Sequence, residues 1–312
     1  MKVQEFCQNQ YDAPPPTKRR LYGVEVEVEQ AGEHPSRQWL TAHKWRVTED
    51  GSLRNNGLEF VSSPVTLRTA MHSYEALCEK AREFGYVANA RTGIHVHADM
   101  RDLEVTQVAG VVAAYAAFEP LFFDLVGRER EENIYCVPWY RAPEEGELIA
   151  TLVTGDYARL RDACKYSALY LMPLRKFGTI EFRAAPTWVD PEPMRRWMQA
   201  INRCIRWGMT QTPQSVLEAC NTDPNTLVKQ VFGRVFDHIE DPESLMDGVD
   251  SLGTVATMLP CTYKVGGWEL LAANGESKAF GYHKRPRNRR EAGVIMDDVD
   301  LMRVRELLDE ND

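Results

Sequence analysis

Valine and glutamate alternate through "GVEVEVEQ", Gly23 to Gln30. Successive side chains of a β-strand point to opposite faces, so Glu25, Glu27 and Glu29 share one face and Val24, Val26 and Val28 the other. The spacing predicts a strand over 21–29. The same two-residue period recurs in "GIHVHAD", which puts His95 and His97 on one face. "GLEFVSSP" reads as another strand, carrying Glu59 and stopped by Pro64. "KYSALYLMPLRKFGTIEFRAAP" predicts two extended runs joined by a turn near Lys176–Gly178; the second, Gly178 to Ala184, sets Glu181 and Arg183 on one face.

Helical periods lie between these strands. "SRQWLTAHK" is a short helix with Ser36 as N-cap. An amphipathic helix is predicted from Thr66 to Phe84, ending at Gly85. A third covers 103–127. A fourth opens with Asp190 as cap and Pro191 in its first turn, and ends near Gly208. Helices and strands mix without a regular βαβ rhythm, which favours an α+β fold with a largely antiparallel sheet. "VAGVVAAYAAFEPLFFDLV", Val108 to Val126, has a membrane-like length, but Glu119, Pro120 and Asp124 lie inside it. Such charges are costly in lipid, so the segment reads as a buried core helix and no membrane partner is expected.

Composition narrows the classes. The chain has 312 residues, 44% of them apolar, which suits one large domain or two ordinary ones. Its net charge of −9 argues against a nucleic-acid-binding surface. Seven cysteines are scattered with no CxxC pair, the usage of reduced thiols in a cytoplasmic protein. The start, "MKVQEFCQNQYDAPPPTKRR", has no apolar core of a secretory signal. The expected organisation is a polar leader over 1–20, a catalytic domain over 21–235, and a partly flexible C-terminal extension over 236–312. The extension carries a basic run at 284–290 and an acidic tail. That run suits either phosphate binding or targeting, or a solvated arm pairing with the tail.

Four strand segments thus each present metal-type side chains on one face. Singly, each is ordinary: Val–Glu alternation is usual on a half-exposed strand, and a Glu-x-Arg pair is usual across strands. If the strands share one sheet with these faces aligned, three or four carboxylates and a histidine converge and would repel one another without a cation. Carboxylates with one imidazole suit Mg²⁺ or Mn²⁺, whereas zinc prefers cysteine or more histidine. An arginine fork beside them suits phosphate oxygens. Neither GxxxxGK[ST] nor GxGxxG occurs, so a bound nucleotide would be held by metals and arginines.

The ordered set "YGVEVEVE", "DGSLRNNGLEFVSSP", "TGIHVHAD", "REREENIY" and "KYSALYL…GTIEFRAAP" resembles the amidoligase family, carboxylate–amine ligases related to glutamine synthetase and glutamate–cysteine ligase. The likeness covers roughly residues 21 to 208. It implies a strongly curved, mostly antiparallel glutamine-synthetase-like sheet with helices on its outer face, and ATP with Mg²⁺ or Mn²⁺ in the concave face. The family's G-x-E-x-E maps onto Glu25 and Glu27, with Glu29 beyond the motif. Its later motifs map onto Glu59, onto His95 with His97 as a neighbour, and onto Glu181 with Arg183. The implied metal ligands are therefore Glu25, Glu27, Glu59, His95 and Glu181. Arg183, Lys165 and Arg130 are implied on the nucleotide side, and Asp50 of "DGSL" on the substrate side. Glutamine synthetase builds its sites between subunits with an extra N-terminal domain; there is no room for one before Leu21, so that assembly is not expected.

Three functions follow as alternatives. The first is an ATP-dependent ligase joining a carboxylate-bearing acceptor to an amine donor, each an amino acid, peptide or protein. The second is a metal-dependent phosphodiesterase or nuclease using a metal-bound water. The third is a non-catalytic ligase-fold binding protein.

Overall fold

The computed structural model describes residues 1–8, 19–139, 147–155 and 157–258, all within one compact unit. The basic run and acidic tail of the sequence lie outside them. A single sheet organises this unit. Strand β1 (Leu21–Val28) lies inside it, between β3 (Leu58–Ser62) and β5 (Gly93–Asp99). Beyond β3 comes the edge strand β2 (Trp45–Thr48); beyond β5 come β7 (Thr179–Pro186) and then β6 (Leu169–Tyr170). A two-residue strand, β4 (Val65–Thr66), pairs with the start of β1. Every pairing is antiparallel. The mixed α and β composition and antiparallel sheet agree with the sequence reading. The strong curvature does not: the sheet is open, with β2 and β6 at its edges, and is neither closed nor strongly curled.

The alternation seen in the sequence separates the two faces. Val24, Val26, Ile94, Val96, Ile180 and Phe182 are all essentially inaccessible and meet the helical layer. Burying each such side chain contributes about 1.5–3 kcal/mol, which anchors the apolar face and thereby aims the charged one outward. The layer behind the sheet is built from α2 (Leu67–Phe84), α3 (Val105–Val126) and α6 (Pro191–Gly208). Their ends follow the expected capping: Thr66 accepts from the Thr69 N–H, Gly85 adopts φ +68°, and Asp190 caps a helix with Pro191 in its first turn. Ser36 likewise caps α1 (Arg37–Ala42), accepting from the Trp39 N–H.

Helix α3 is buried on all sides. It packs on β7 and α6, and also on α4 (Glu147–Thr154), α7 (Pro213–Cys220) and α9 (Leu245–Met258). Its membrane-like window is 89% buried, so its uniform apolarity is that of a core helix. Glycines set the close approach: a Cβ on Gly208 would lie 2.7 Å from Val111 Cα, and one on Gly110 or Gly248 would overlap a backbone carbonyl of the neighbouring helix. With α8 (Pro224–Phe232) filling in beside α6, the packed unit runs past residue 235, and Leu245, Val249 and Leu252 are buried.

Two local expectations change. The first extended run before β7 shrinks to β6, and "MPLRKF" forms a helix, α5 (Met172–Phe177), where a turn was expected. Pro173 in its first turn, helix-forming Leu, Arg and Lys, and Gly178 at φ +74° as its stop explain this. Strand β2 was not legible, since "WRVT" is too short for a two-residue period to stand out.

Candidate active site

Strand pairing assembles the charged side chains on the outward face. Glu25 lies opposite His95 on β5, and Glu27 lies opposite Glu59 on β3. Glu59 in turn faces Thr48 on β2, whose hydroxyl donates to its carboxylate at 2.9 Å. On the other side, His97 lies opposite Glu181 on β7. A β-bulge places both Arg183 and Ala184 against the single residue His95; Arg183 keeps to the Glu181 face and Ala184 is buried. The result is three groups whose ligand atoms lie within 4.8 Å of one another: Glu25–His97–Glu181, Glu25–Glu59–His95 and Glu27–Asp50–Glu59. Because Glu25 and Glu59 each belong to two groups, these form one strip across four strands, β3, β1, β5 and β7, and the Asp50 loop.

The strip is half-enclosed and tightly coupled. His95 Nδ1 lies 3.4 Å from Glu25 and 3.7 Å from Glu181, with Nε2 3.9 Å from Glu27. His97 Nε2 sits 3.5 Å from Glu25 and 3.7 Å from Glu181, and Nδ1 meets the Thr179 hydroxyl at 3.0 Å. Glu27 accepts the Gly93 N–H at 2.7 Å. Arg183 pairs with Glu181, and its buried Nε has no hydrogen-bond partner. Burial opposes charge throughout, and the outcome depends on neighbours. It pushes Glu59 up to about 7, helped by the Glu25 carboxylate, and holds Glu27 above its usual range. For Glu25, burial is outweighed by His97 and His95, which hold it well below the usual range. For His97, burial is outweighed by Glu181 and Glu25, which push it up to about 9.

This donor set fits a divalent cation that prefers oxygen. Five carboxylates and two imidazoles face one another, and no thiol enters the groups. A family described as "putative amidoligase enzyme" matches residues 17–207, a span that includes the whole sheet. The chain belongs to the amidoligase family. No curated protein matches it. The family match ends within α6, and α7, α8 and α9 follow it in the chain, with α7 and α9 packed on α3.

Within the amidoligase sheet, the five ligand candidates from the sequence, Glu25, Glu27, Glu59, His95 and Glu181, stand together with Arg183. Asp50, placed on the substrate side by resemblance, joins Glu27 and Glu59 in one group. His97, read as a neighbour, is instead within the Glu25–Glu181 group. Its signal was present in the sequence, because "HVH" puts both imidazoles on one face. Glu29 leaves the strip. It is 1% exposed and accepts from the Arg54 N–H, from Asn89 and, through both oxygens, from Arg91. Arg130 is buried and donates to the Ala184 and Ala90 carbonyls, with Nη2 beside Gly93 near His95. Lys165 is exposed, with its ammonium 4.6 Å over the Tyr166 ring.

A cleft of about 240 Å³ adjoins the Glu25–His97 end of the amidoligase strip. Trp45, Pro64 and Phe177 give it apolar walls, and Arg46, Ser62 and Arg101 give it polar ones. Gly23, opposite His97, leaves its floor open.

Proposed function

We propose that the protein is an ATP- and Mg²⁺- or Mn²⁺-dependent carboxylate–amine ligase, which activates an acid as an acyl phosphate and joins it to an amine. The observation that carries this reading is the strip of carboxylates and imidazoles beside Arg183, in a chain of the amidoligase family. Divalent cations held at such a strip would offset the negative charge that develops as a phosphoryl group moves. Glu25, Glu27, Glu59, His95 and Glu181 are the residues to hold them. Arg183 stabilises the transferred group, and its unpartnered buried Nε is a donor ready for an anionic oxygen. Asp50, half-buried at the Glu27 end, orients or deprotonates the incoming amine. The cleft at the other end suits the nucleotide: its apolar walls can enclose a base while the phosphates run towards Glu25 and His97.

The substrates in this reading are a carboxylate-bearing acceptor and an amine donor, drawn from amino acids, peptides or proteins. Cys78, Cys136, Cys204 and Cys220 are buried free thiols, which supports a reducing compartment such as the cytoplasm. The test is release of ADP with amide formation when ATP, Mg²⁺ or Mn²⁺ and panels of acids and amines are supplied together. No binding of ATP at millimolar Mg²⁺ or Mn²⁺ refutes the reading.

A further inference from the structure

The segment 1–8 precedes the family match and is docked onto the body. Val3 to Glu5 form one 3₁₀ turn, in which residues three apart lie on the same side. Val3 and Phe6 therefore face inward together. Val3 is fully buried, and the Phe6 ring stacks on Tyr157 with centroids 4.5 Å apart. On one flank, the Val3 and Gln4 N–H groups donate to the Leu103 and Arg101 carbonyls at 3.0 and 3.3 Å, and Lys2 bridges Glu104. On the other flank, the Gln8 N–H donates to the Arg175 carbonyl at 2.9 Å, and Cys7 lies against Gly178 and Arg101.

The two parts so tied are the far wall of the cleft. Arg101 lines it, held in a fork on Asp99 by contacts of 2.9 and 2.8 Å. Phe177 lines it too, with its ring edge-on to His97 at 6.4 Å. A backbone hydrogen bond also joins these parts directly, from the Met100 N–H to the Gly178 carbonyl at 2.8 Å. We infer that residues 1–8 form a strap that positions the Arg101–Phe177 wall for the nucleotide, with Val3 and Phe6 as its positioning residues. This rests on the ligase reading for the identity of the ligand, though not for the strap itself. Side chains that are already ordered lose less freedom on binding, so a fixed wall raises affinity without touching the ligand chemistry at the metal strip.

The test compares wild type with Phe6→Ala and with Phe6→Tyr, which keeps the ring. Amide hydrogen exchange at Met100, Leu103 and Gly178 should quicken in Phe6→Ala and not in Phe6→Tyr, while the β1–β3 amides stay protected. ADP binding in the presence of Mg²⁺ should weaken about tenfold in Phe6→Ala, and Mn²⁺ binding without nucleotide should stay within about twofold. Unchanged exchange at the wall overturns the strap. Faster exchange with unchanged ADP affinity overturns its positioning role. Equal loss of ADP and Mn²⁺ binding marks a general loosening and also overturns it. If wild type itself binds no ADP, the ligase reading fails, and the exchange result still decides whether the strap exists.

Discussion

Glu27 and Glu29 are two residues apart on one strand face and should separate stability from metal binding. The Glu29 carboxylate is 1% exposed and accepts from Arg91 at 3.1 and 3.2 Å, from Asn89 at 2.8 Å and from the Arg54 N–H at 3.1 Å. Glu29→Ala leaves those donors facing a void, a loss of about 3–5 kcal/mol for a broken buried ion pair. At roughly 2–4 °C per kcal/mol for a domain of this size, its melting temperature should fall by about 6–20 °C. Glu27 makes one comparable bond, from the Gly93 N–H at 2.7 Å, and burial disfavours its charge. Glu27→Ala should cost only about 1 kcal/mol without metal. The response to Mn²⁺ should run the other way. A hundredfold excess over the dissociation constant adds about 2.7 kcal/mol to the protein that binds it, or roughly 5–11 °C. Differential scanning calorimetry with and without Mn²⁺ should therefore show a low starting point but a kept shift for Glu29→Ala. Glu27→Ala should show a near-normal starting point and a lost shift. If Glu29→Ala loses the shift while Glu27→Ala keeps it, the division of roles along β1 is wrong.

Apparent Mn²⁺ affinity should rise with pH through about 7, because Glu59 must lose its proton to bind the ion; calorimetric titrations at several pH values would expose a flat profile as a contradiction. In metal-free protein the His97 value is raised from 6.5 to about 9, so its stabilisation is full below about 6.5 and is lost as pH rises through 9. Denaturant melts in chelator should show wild type losing at most about 3 kcal/mol over that window relative to His97→Gln. Arg183→Lys keeps the charge but not the fork, so ADP release should fall at least about a hundredfold with Mn²⁺ binding largely kept; equal activity would remove Arg183 from the phosphoryl role. Gly110→Ala forces a methyl into the α6 backbone and should cost at least about 1–3 kcal/mol, which a thermal melt reads directly.

Much of this site is written in local sequence. A two-residue period puts Glu25 with Glu27, His95 with His97, and Glu181 with Arg183, because strand side chains must alternate. Caps such as Thr66, Asp190 and Gly85 mark helix ends for equally local reasons. What the period leaves open is which strand lies beside which. Pairing of β1 with both β3 and β5 joins residues tens of positions apart, and only that pairing turns separate charged faces into one strip. The same holds for Glu29. Its alternation is identical to that of Glu27, yet Arg91 and Asn89 arrive from another segment and take it out of the strip. The apolarity of α3 was plain in the sequence, but whether lipid or protein surrounds it is settled by the helices packed on every side. A polar N-terminal stretch likewise gave no hint that Val3 would be buried and that Phe6 would stack on Tyr157. Alternation and capping are set by near neighbours along the chain, whereas ligand sets, ion-pair partners and burial are set by contacts that exist only once distant segments meet.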